Sequence, residues 1–411
     1  VARKCNFIRL PVPERDSTGI PANFQRVNAC TAPGSSLTIN GESYKVYPSG
    51  AFAGYIALQP GTNRLVIESS HPDLGKVTKT LVVESRIPEP EKEVTGFSIE
   101  YARTIPAVDL SLQTGDLLHV RMKALPGCQA FFLGNKPMYE LPEFQTNGIK
   151  GIYQGTYRIQ PVDTLNLGKI DFTLYKNELK DNRKDTIHGK DAMHGVSTNK
   201  ISINTGDFPA VGQTTSQFSW LNYGLGEDRL GGARAGYLDS LVLLKLTGRT
   251  GDFYRVQLSE SRSFYIPSDQ VNILPKGTFD PYSLADSWSV TGDERYDYVR
   301  IGLSRRLPYL SRYESHPSRI VLDIFGAVSN TNWITQLNSA KEIRNVWYEQ
   351  PENNVMRVTL ELTHPQPWGY LVYYENNRLT VRIKQQPQML NWQNLTIGLD
   401  AGHGGTNPGA L

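Results

Sequence analysis

A chain of 411 residues exceeds what one hydrophobic core organises, so about three or four domains are expected. Lysine and arginine number 43 against 40 acidic residues, a net charge of +3, which argues against the clustered basic surface that grips nucleic acid. No apolar run approaches the roughly 18 residues of a membrane-spanning helix, so an integral membrane protein is not expected.

The chain opens on Val1 rather than methionine, as removal of an export signal or trimming of the chain would leave it. Residues 1–87 read as short strands and turns without helical period, hence a small Ig-like β-sandwich. Leu37-Thr38-Ile39 runs through Asn40-Gly41, a hairpin signal, into Tyr44–Tyr47, and Phe52–Leu58, Leu65–Ile67 and Val77–Val83 follow. Cys5 and Cys30 either close a disulfide across the first strands or stay thiols, and Cys128 is left over. Residues 84–94 are charged, carry two prolines and read as a linker. A second β-sandwich is expected over 95–206, with strands at Leu117–Met122, Tyr153–Ile159 and Ile170–Tyr175. Within it, residues 176–198 are polar and bring His188 and His194 near Asp185 and Asp191. That histidine spacing fits no helix face or zinc finger, so a solvated loop is favoured over a metal site.

Residues 207–275 run strand, turn, strand through Ala235–Leu238, Leu241–Leu246, Thr250-Gly251-Asp252, Phe253–Leu258, Phe264–Pro267 and Val271. This order resembles a bacterial Src-homology-3-like β-barrel. Wall-binding relatives of such barrels hold peptides in aromatic grooves, which makes Tyr223, Tyr237, Tyr254 and Tyr265 candidate ligand contacts. Packing in the core or rim is the alternative for each of them. Residues 278–388 alternate apolar and polar positions at Tyr298–Leu303, Arg319–Phe325, Ile343–Tyr348, Met356–Leu362, Tyr370–Tyr374 and Leu379–Ile383. The pattern predicts a β-sandwich whose sheets each have one dry and one wet face. The Ile-Val-Leu-Asp-Ile-Phe-Gly run from Ile320 and the Arg-Val-Thr-Leu-Glu-Leu run from Arg357 resemble the AMIN domain, which attaches to the cell wall. Twelve basic and twelve acidic residues between Thr278 and Pro387 leave that segment neutral, so a glycan or muropeptide would be held by aromatic platforms and hydrogen bonds. Trp333, Trp347, Trp368 and Tyr370 are the candidates. At least one of these tryptophans is expected in the core, and Trp368, in a Pro-Gln-Pro-Trp-Gly-Tyr turn, is best placed for exposure.

The last stretch carries the most specific signal. A short apolar run, Leu395, Ile397 and Leu399, ends at Asp400, and a glycine-rich turn then presents His403. This reads as the first strand of an α/β domain delivering a ligand into a crevice, the alternative being a glycine-rich tail. Leu399-Asp400-Ala401-Gly402-His403-Gly404-Gly405, followed by Asn407-Pro408-Gly409-Ala410, resembles the first motif of the zinc-dependent N-acetylmuramoyl-L-alanine amidases. The resemblance implies that His403 is a zinc ligand and that the other ligands and the catalytic glutamate lie downstream, so residues 395–411 would be the start of the catalytic domain. The chain is then expected to be the non-catalytic targeting region of an enzyme that cleaves the muramic acid–L-alanine amide, inactive on its own because one histidine cannot hold catalytic zinc. Peptidoglycan is the expected partner, an envelope protein a further one, and the bacterial periplasm or exterior the expected location. The alternative is a non-enzymatic peptidoglycan-binding or envelope scaffold. A glycosidase is disfavoured, because nothing places two of the acidic residues across a cleft.

Overall fold

The computed structural model describes residues 6–12, 17–20, 22–86, 92–176, 192–226 and 231–391, with 393, 395, 396, 398 and 402. Among these, strands and two 3-10 turns make up the regular structure, so the mainly β expectation holds. The chain forms two compact units, one within residues 1–91 and one spanning residues 92–390.

The first unit is a two-sheet sandwich. Ile8–Val12, Phe24–Thr31 and Ala51–Ala57 form one sheet. Ser17–Ile20, Gly75–Ser85, Gly61–His71, Ser36–Ile39 and Glu42–Tyr44, in that order, form the other. Among the described residues of this unit, Ser17–Ile20 alone runs parallel to its neighbour, Gly75–Ser85. The leading segment is thus divided between the two sheets, the Ig-like arrangement expected from the strand spacing. Alternation puts Val27, Ala29, Leu37, Ile39, Phe52, Leu65, Ile67, Leu81 and Val83 into the core. The Asn40-Gly41 hairpin forms as read, with φ of 50° and 87°, the left-handed pair a two-residue turn needs. Buried Asn6 ties the leading segment down: its Nδ2 donates to the Ser69 and Gly75 carbonyls at 3.1 Å, and its Oδ1 accepts from Thr31 Oγ1 at 3.1 Å.

The second unit begins with a seven-stranded antiparallel sheet, ordered Ala192–Val196, Asp171–Tyr175, Gln129–Phe132, Lys136–Glu140, Ile152–Arg158, Leu117–Ala124 and Ile99–Ile105. It curls until its edges meet, with Gly195 against Ile99 and Ala102, around Leu118, Val120, Met122, Phe132, Tyr153 and Phe172. Part of the stretch read as a solvated loop is therefore strand. His194 sits in Ala192–Val196 beside Thr173, because backbone pairing with Asp171–Tyr175 overrides its polar composition. His188, Asp185 and Asp191 lie outside the described residues.

Residues 207–275 form the barrel. Ala210–Thr214, Ser219–Asn222, Arg234–Leu238, Leu243–Thr250, Phe253–Gln257 and Ser263–Pro267 lead to a 3-10 turn, Ser268–Gln270, and a last strand, Val271–Ile273. Its sheet does not stop at the expected boundary. Leu110–Leu112 pairs with Leu243–Thr250 and, in parallel, with Ile201–Ile203, and Arg255 reaches Asp116 at 2.5 Å.

Residues 283–384 form the expected sandwich. One sheet holds, in order, Ile334–Gln336, Trp288–Gly292, Tyr296–Gly302, Arg378–Lys384 and Tyr370–Glu375. The other holds Tyr309–Ser315, Ser318–Phe325, Val355–Leu362 and Ile343–Glu352. Val290, Val299, Ile301, Leu322, Ile324, Val358, Leu360, Val381 and Ile383 fill the space between, and this core is continuous with that of the barrel. The strand expected near residue 397 falls where Ile397, Leu399, Asp400 and His403 lie outside the described residues.

Candidate functional site

Which sandwich face stays open is decided by where the barrel docks. Along Ser318–Phe325, Ile320, Leu322 and Ile324 point into the core, while Val321, Asp323 and Phe325 point the other way and are buried as well. Arg262, in the barrel turn before Ser263–Pro267, donates to Asp323 Oδ2 at 2.8 Å and lies 4.8 Å over the Phe325 ring. Arg357 adds two hydrogen bonds to Asp323, at 2.6 and 3.1 Å. Burial alone would raise the Asp323 carboxyl, but the hydrogen bonds and charges of Arg357 and Arg262 outweigh it and hold the group below the usual carboxylate range. The expected wet face of this strand is thus dry, because a neighbouring domain covers it.

The opposite, five-stranded sheet keeps its outer face uncovered, and its register shows what that face carries. Residues directly opposite in a ladder share a face. Thr291, Tyr298, Arg382 and Leu371 form one outer row, and Ser289, Arg300, Thr380 and Tyr373 form the next, with Thr380 buried beneath its neighbours and donating to Glu375. Val290, Val299, Val381 and Val372 make the inner row between them. The outer rows interlock through guanidinium–ring contacts. Arg300 lies 4.3 Å over Tyr298, and Arg382 lies 4.8 Å over Tyr296 and 5.8 Å from Tyr373. Glu375 answers Arg300 at 3.5 Å and accepts from the Tyr373 hydroxyl at 3.1 Å, and Asp293 accepts from Tyr298 at 2.8 Å. The hydrogen bond to Asp293, then burial, pushes the Tyr298 phenol up; burial, then Glu375, does the same for Tyr373. Both rings stay neutral, with hydroxyls engaged and guanidinium groups packed against them.

Where this face meets the barrel there is a cleft of about 470 Å³. Phe218, Tyr237 and Asp239 line it from the barrel, and Leu371, Tyr373 and Arg382 line it from the sandwich. Tyr309 fixes its floor, donating to Asp239 Oδ2 at 2.9 Å, and burial, then Asp239, pushes its phenol far up, so it stays protonated.

The residues singled out in the sequence scatter around this site. Tyr237 lines the cleft, edge-on to Phe218. Tyr223 packs on Phe264, Tyr254 packs on Phe208 beneath Arg249, and Tyr265 is half-buried opposite Asn222 and Arg255; none of these three lines the cleft. Trp333, 68% exposed, donates to Thr335, whose partner Ser289 belongs to the outer face, so this tryptophan stands at the far rim of the same surface. Trp368 is only half-buried, its indole reaching Gln386 at 3.4 Å, so Trp333 rather than Trp368 is the exposed indole. Trp347 lies half-buried under Arg319 on the other sheet, so none of the three is in the core; among the described residues the buried tryptophan is Trp288. Tyr370 has inward parity, packing on the core near Ser311, and its neighbours Leu371 and Tyr373 take the outer positions. Tyr296, Tyr298, Arg300, Tyr373 and Arg382 were missed. The Tyr-Asp-Tyr-Val-Arg alternation from Tyr296 is the signal that locates them, once Val299 is assigned to the core.

His403 lies outside the described residues, and among those described no three His, Cys, Asp or Glu gather to hold a metal. Cys5 also lies outside them, and Cys30 is a half-buried thiol on Phe24–Thr31.

Among solved structures, the chain is similar to a titin fragment, Titin-A168169 (9% identity, 46% of this chain and 94% of that one, TM-score 0.17). It is also similar to the N-terminal Ig1-2 module of the Drosophila receptor protein tyrosine phosphatase DLAR (13% identity, 49% and 100%, TM-score 0.17) and to tandem Ig repeats of Dlar (14%, 48% and 97%, TM-score 0.15). Likeness at this level bears on neither activity nor ligand, and the Ig-like order of the first unit rests on its own strand pairing. No family model and no curated protein matches the chain.

Proposed function

We propose that the chain is the non-catalytic, peptidoglycan-binding region of a zinc-dependent N-acetylmuramoyl-L-alanine amidase, acting in the bacterial periplasm or outside the cell. The observation that carries the binding half is the uncovered sheet face bearing Tyr296, Tyr298, Tyr373, Arg300 and Arg382, with Trp333 at its rim. Flat rings stiffened by guanidinium contacts suit sugar rings and acyl groups, which need stacking area and little ordering of the protein. The amidase half is supported by the Leu399–Ala410 motif. Zinc belongs to that resemblance: His403 would supply one ligand, and the described residues add no further set, so no chemical step is assigned to this chain.

The test is co-sedimentation with purified sacculi, together with an assay of muramyl-amide cleavage. The reading expects the chain to sediment with sacculi and to leave the amide uncut. Failure to sediment would overturn the binding half, and strong cleavage would overturn the non-catalytic assignment.

A further inference from the structure

The outer face of the seven-stranded sheet carries positive charge that no carboxylate answers. Leu118, Val120 and Met122 point into the core of that sheet, so His119 and Arg121 between them point out. Register then sets Arg103, Arg121, Gln154 and Tyr139 side by side in one outer row, and Ile105, His119 and Thr156 in the next. Arg103 and Arg121 stand directly opposite each other on the ladder, a placement that costs stability between like charges. Both are half-buried, and neither forms an ion pair among the described residues. Arg103 lies 4.7 Å over the Tyr101 ring. Arg121 donates to Gln154 Oε1 at 3.3 Å, and its Nε is buried without a hydrogen-bond partner. By contrast, Arg255, Arg262 and Arg357 each meet a carboxylate.

The acidic groups nearby in sequence are already engaged. The four strands of this face carry two glutamates: Glu100 pairs with Lys123 at 3.1 Å, and Glu140 accepts the Gly127 and Gly151 amides at 2.8 and 2.7 Å. A hollow of about 510 Å³ adjoins the row and is lined by Lys136, Tyr139, Gln154, Thr156 and Tyr157. Asp163, beside Tyr157, accepts the Gln160 amide at 2.6 Å. Gln154 thus belongs both to the hollow and to the arginine pair, while Thr156 shares a 2.9 Å hydrogen bond with His119 Nδ1 and Tyr139 is 70% exposed.

One guanidinium fork suffices for the two oxygens of a carboxylate. Two forks side by side suit an anion with three free oxygens and nearly two charges, which is a phosphate monoester. The hollow beyond Gln154 offers amide and hydroxyl partners for the hydroxyls of such an ester, and an exposed ring for its carbon skeleton. We propose that the Arg103–Arg121 pair binds the phosphate of a soluble sugar or polyol phosphate, with the organic part in the hollow against Tyr139, Gln154 and Thr156. The site shares no residue with the wall-binding reading and does not depend on it.

The experiment titrates the full chain, at fixed ionic strength, with glycerol 3-phosphate, inorganic phosphate and acetate. Glycerol 3-phosphate should bind at least roughly tenfold more tightly than acetate and several-fold more tightly than inorganic phosphate. Arg103→Gln and Arg121→Gln should each weaken it at least roughly tenfold, the loss of about one charge-assisted contact. Neither change should lower the melting temperature in ligand-free buffer, because each relieves the like-charge pair. Thr156→Ala should weaken the ester and leave inorganic phosphate unchanged. Equal binding of the three anions, no binding at millimolar concentration, or undiminished binding by both arginine variants would overturn the proposal. Flotation with phosphatidylglycerol vesicles, without binding of glycerol 3-phosphate, would give the face to a membrane surface and overturn it as well.

Discussion

At the scale of single residues, two buried polar groups hold parts together that the hydrophobic pattern leaves unspecified. Asp323 occupies an outward position on its strand yet is 2% exposed, so it must be paired to be tolerated. Asp323→Ala leaves Arg262 and Arg357 without their shared acceptor and is expected to cost about 3–5 kcal/mol, the range for breaking a buried pair. Chemical denaturation of the variant checks this. The same carboxyl sets a pH dependence. Its folded pKa lies below the unfolded value, so the unfolded state binds more protons in between and stability rises with pH there. The contribution is complete above about pH 4 and lost as pH falls through the folded value. Melts from pH 2 to 6 should show this decline in the wild type and a flatter profile in Asp323→Asn. Asn6→Ala should cost about 1–3 kcal/mol in the first unit, since Thr31 Oγ1 and the Ser69 and Gly75 carbonyls lose their partner.

At the scale of elements, alternation was legible wherever one face of a strand is dry. Leu117–Ala124, Tyr296–Gly302, Val355–Leu362 and Arg378–Lys384 lie within a residue or two of their expected bounds, because period-two burial leaves its mark in the sequence. The turn at Asn40-Gly41 was legible for a different reason, its backbone conformation. Gly41→Ala meets no neighbour yet must hold φ near 87°, so a loss of about 1 kcal/mol in a melt is expected. Gly302→Ala, with equally open space and no such φ, should stay within about 0.5 kcal/mol. What escaped was parity and partnership. Tyr370 and Leu371 differ by one position, which exchanges core for surface, and a short edge strand beside a turn carries too few residues to fix its phase. Strands as short as Leu110–Leu112 and Ile201–Ile203 join the barrel sheet through pairing across about a hundred residues, which local pattern cannot express. The outer face, in turn, was visible only as the complement of the core: once Val299 and Ile301 point inward, Tyr298 and Arg300 point out.

At the scale of the molecule, the barrel and the following sandwich share one core and the Arg262–Asp323 contact, so they are expected to unfold together. Calorimetry should give one transition covering 207–388, whereas two separable transitions would contradict the shared core. The same docking leaves one sheet face open, and the functional reading depends on that asymmetry. The most direct test is sacculus binding by Tyr296→Ala/Tyr298→Ala, on the open face, beside Trp347→Ala, on the other sheet. The account predicts that the tyrosine pair lowers binding at least roughly tenfold, as loss of two stacking platforms should, and that Trp347→Ala binds as the wild type does. Undiminished binding by the tyrosine variant, or loss confined to Trp347→Ala, would contradict it.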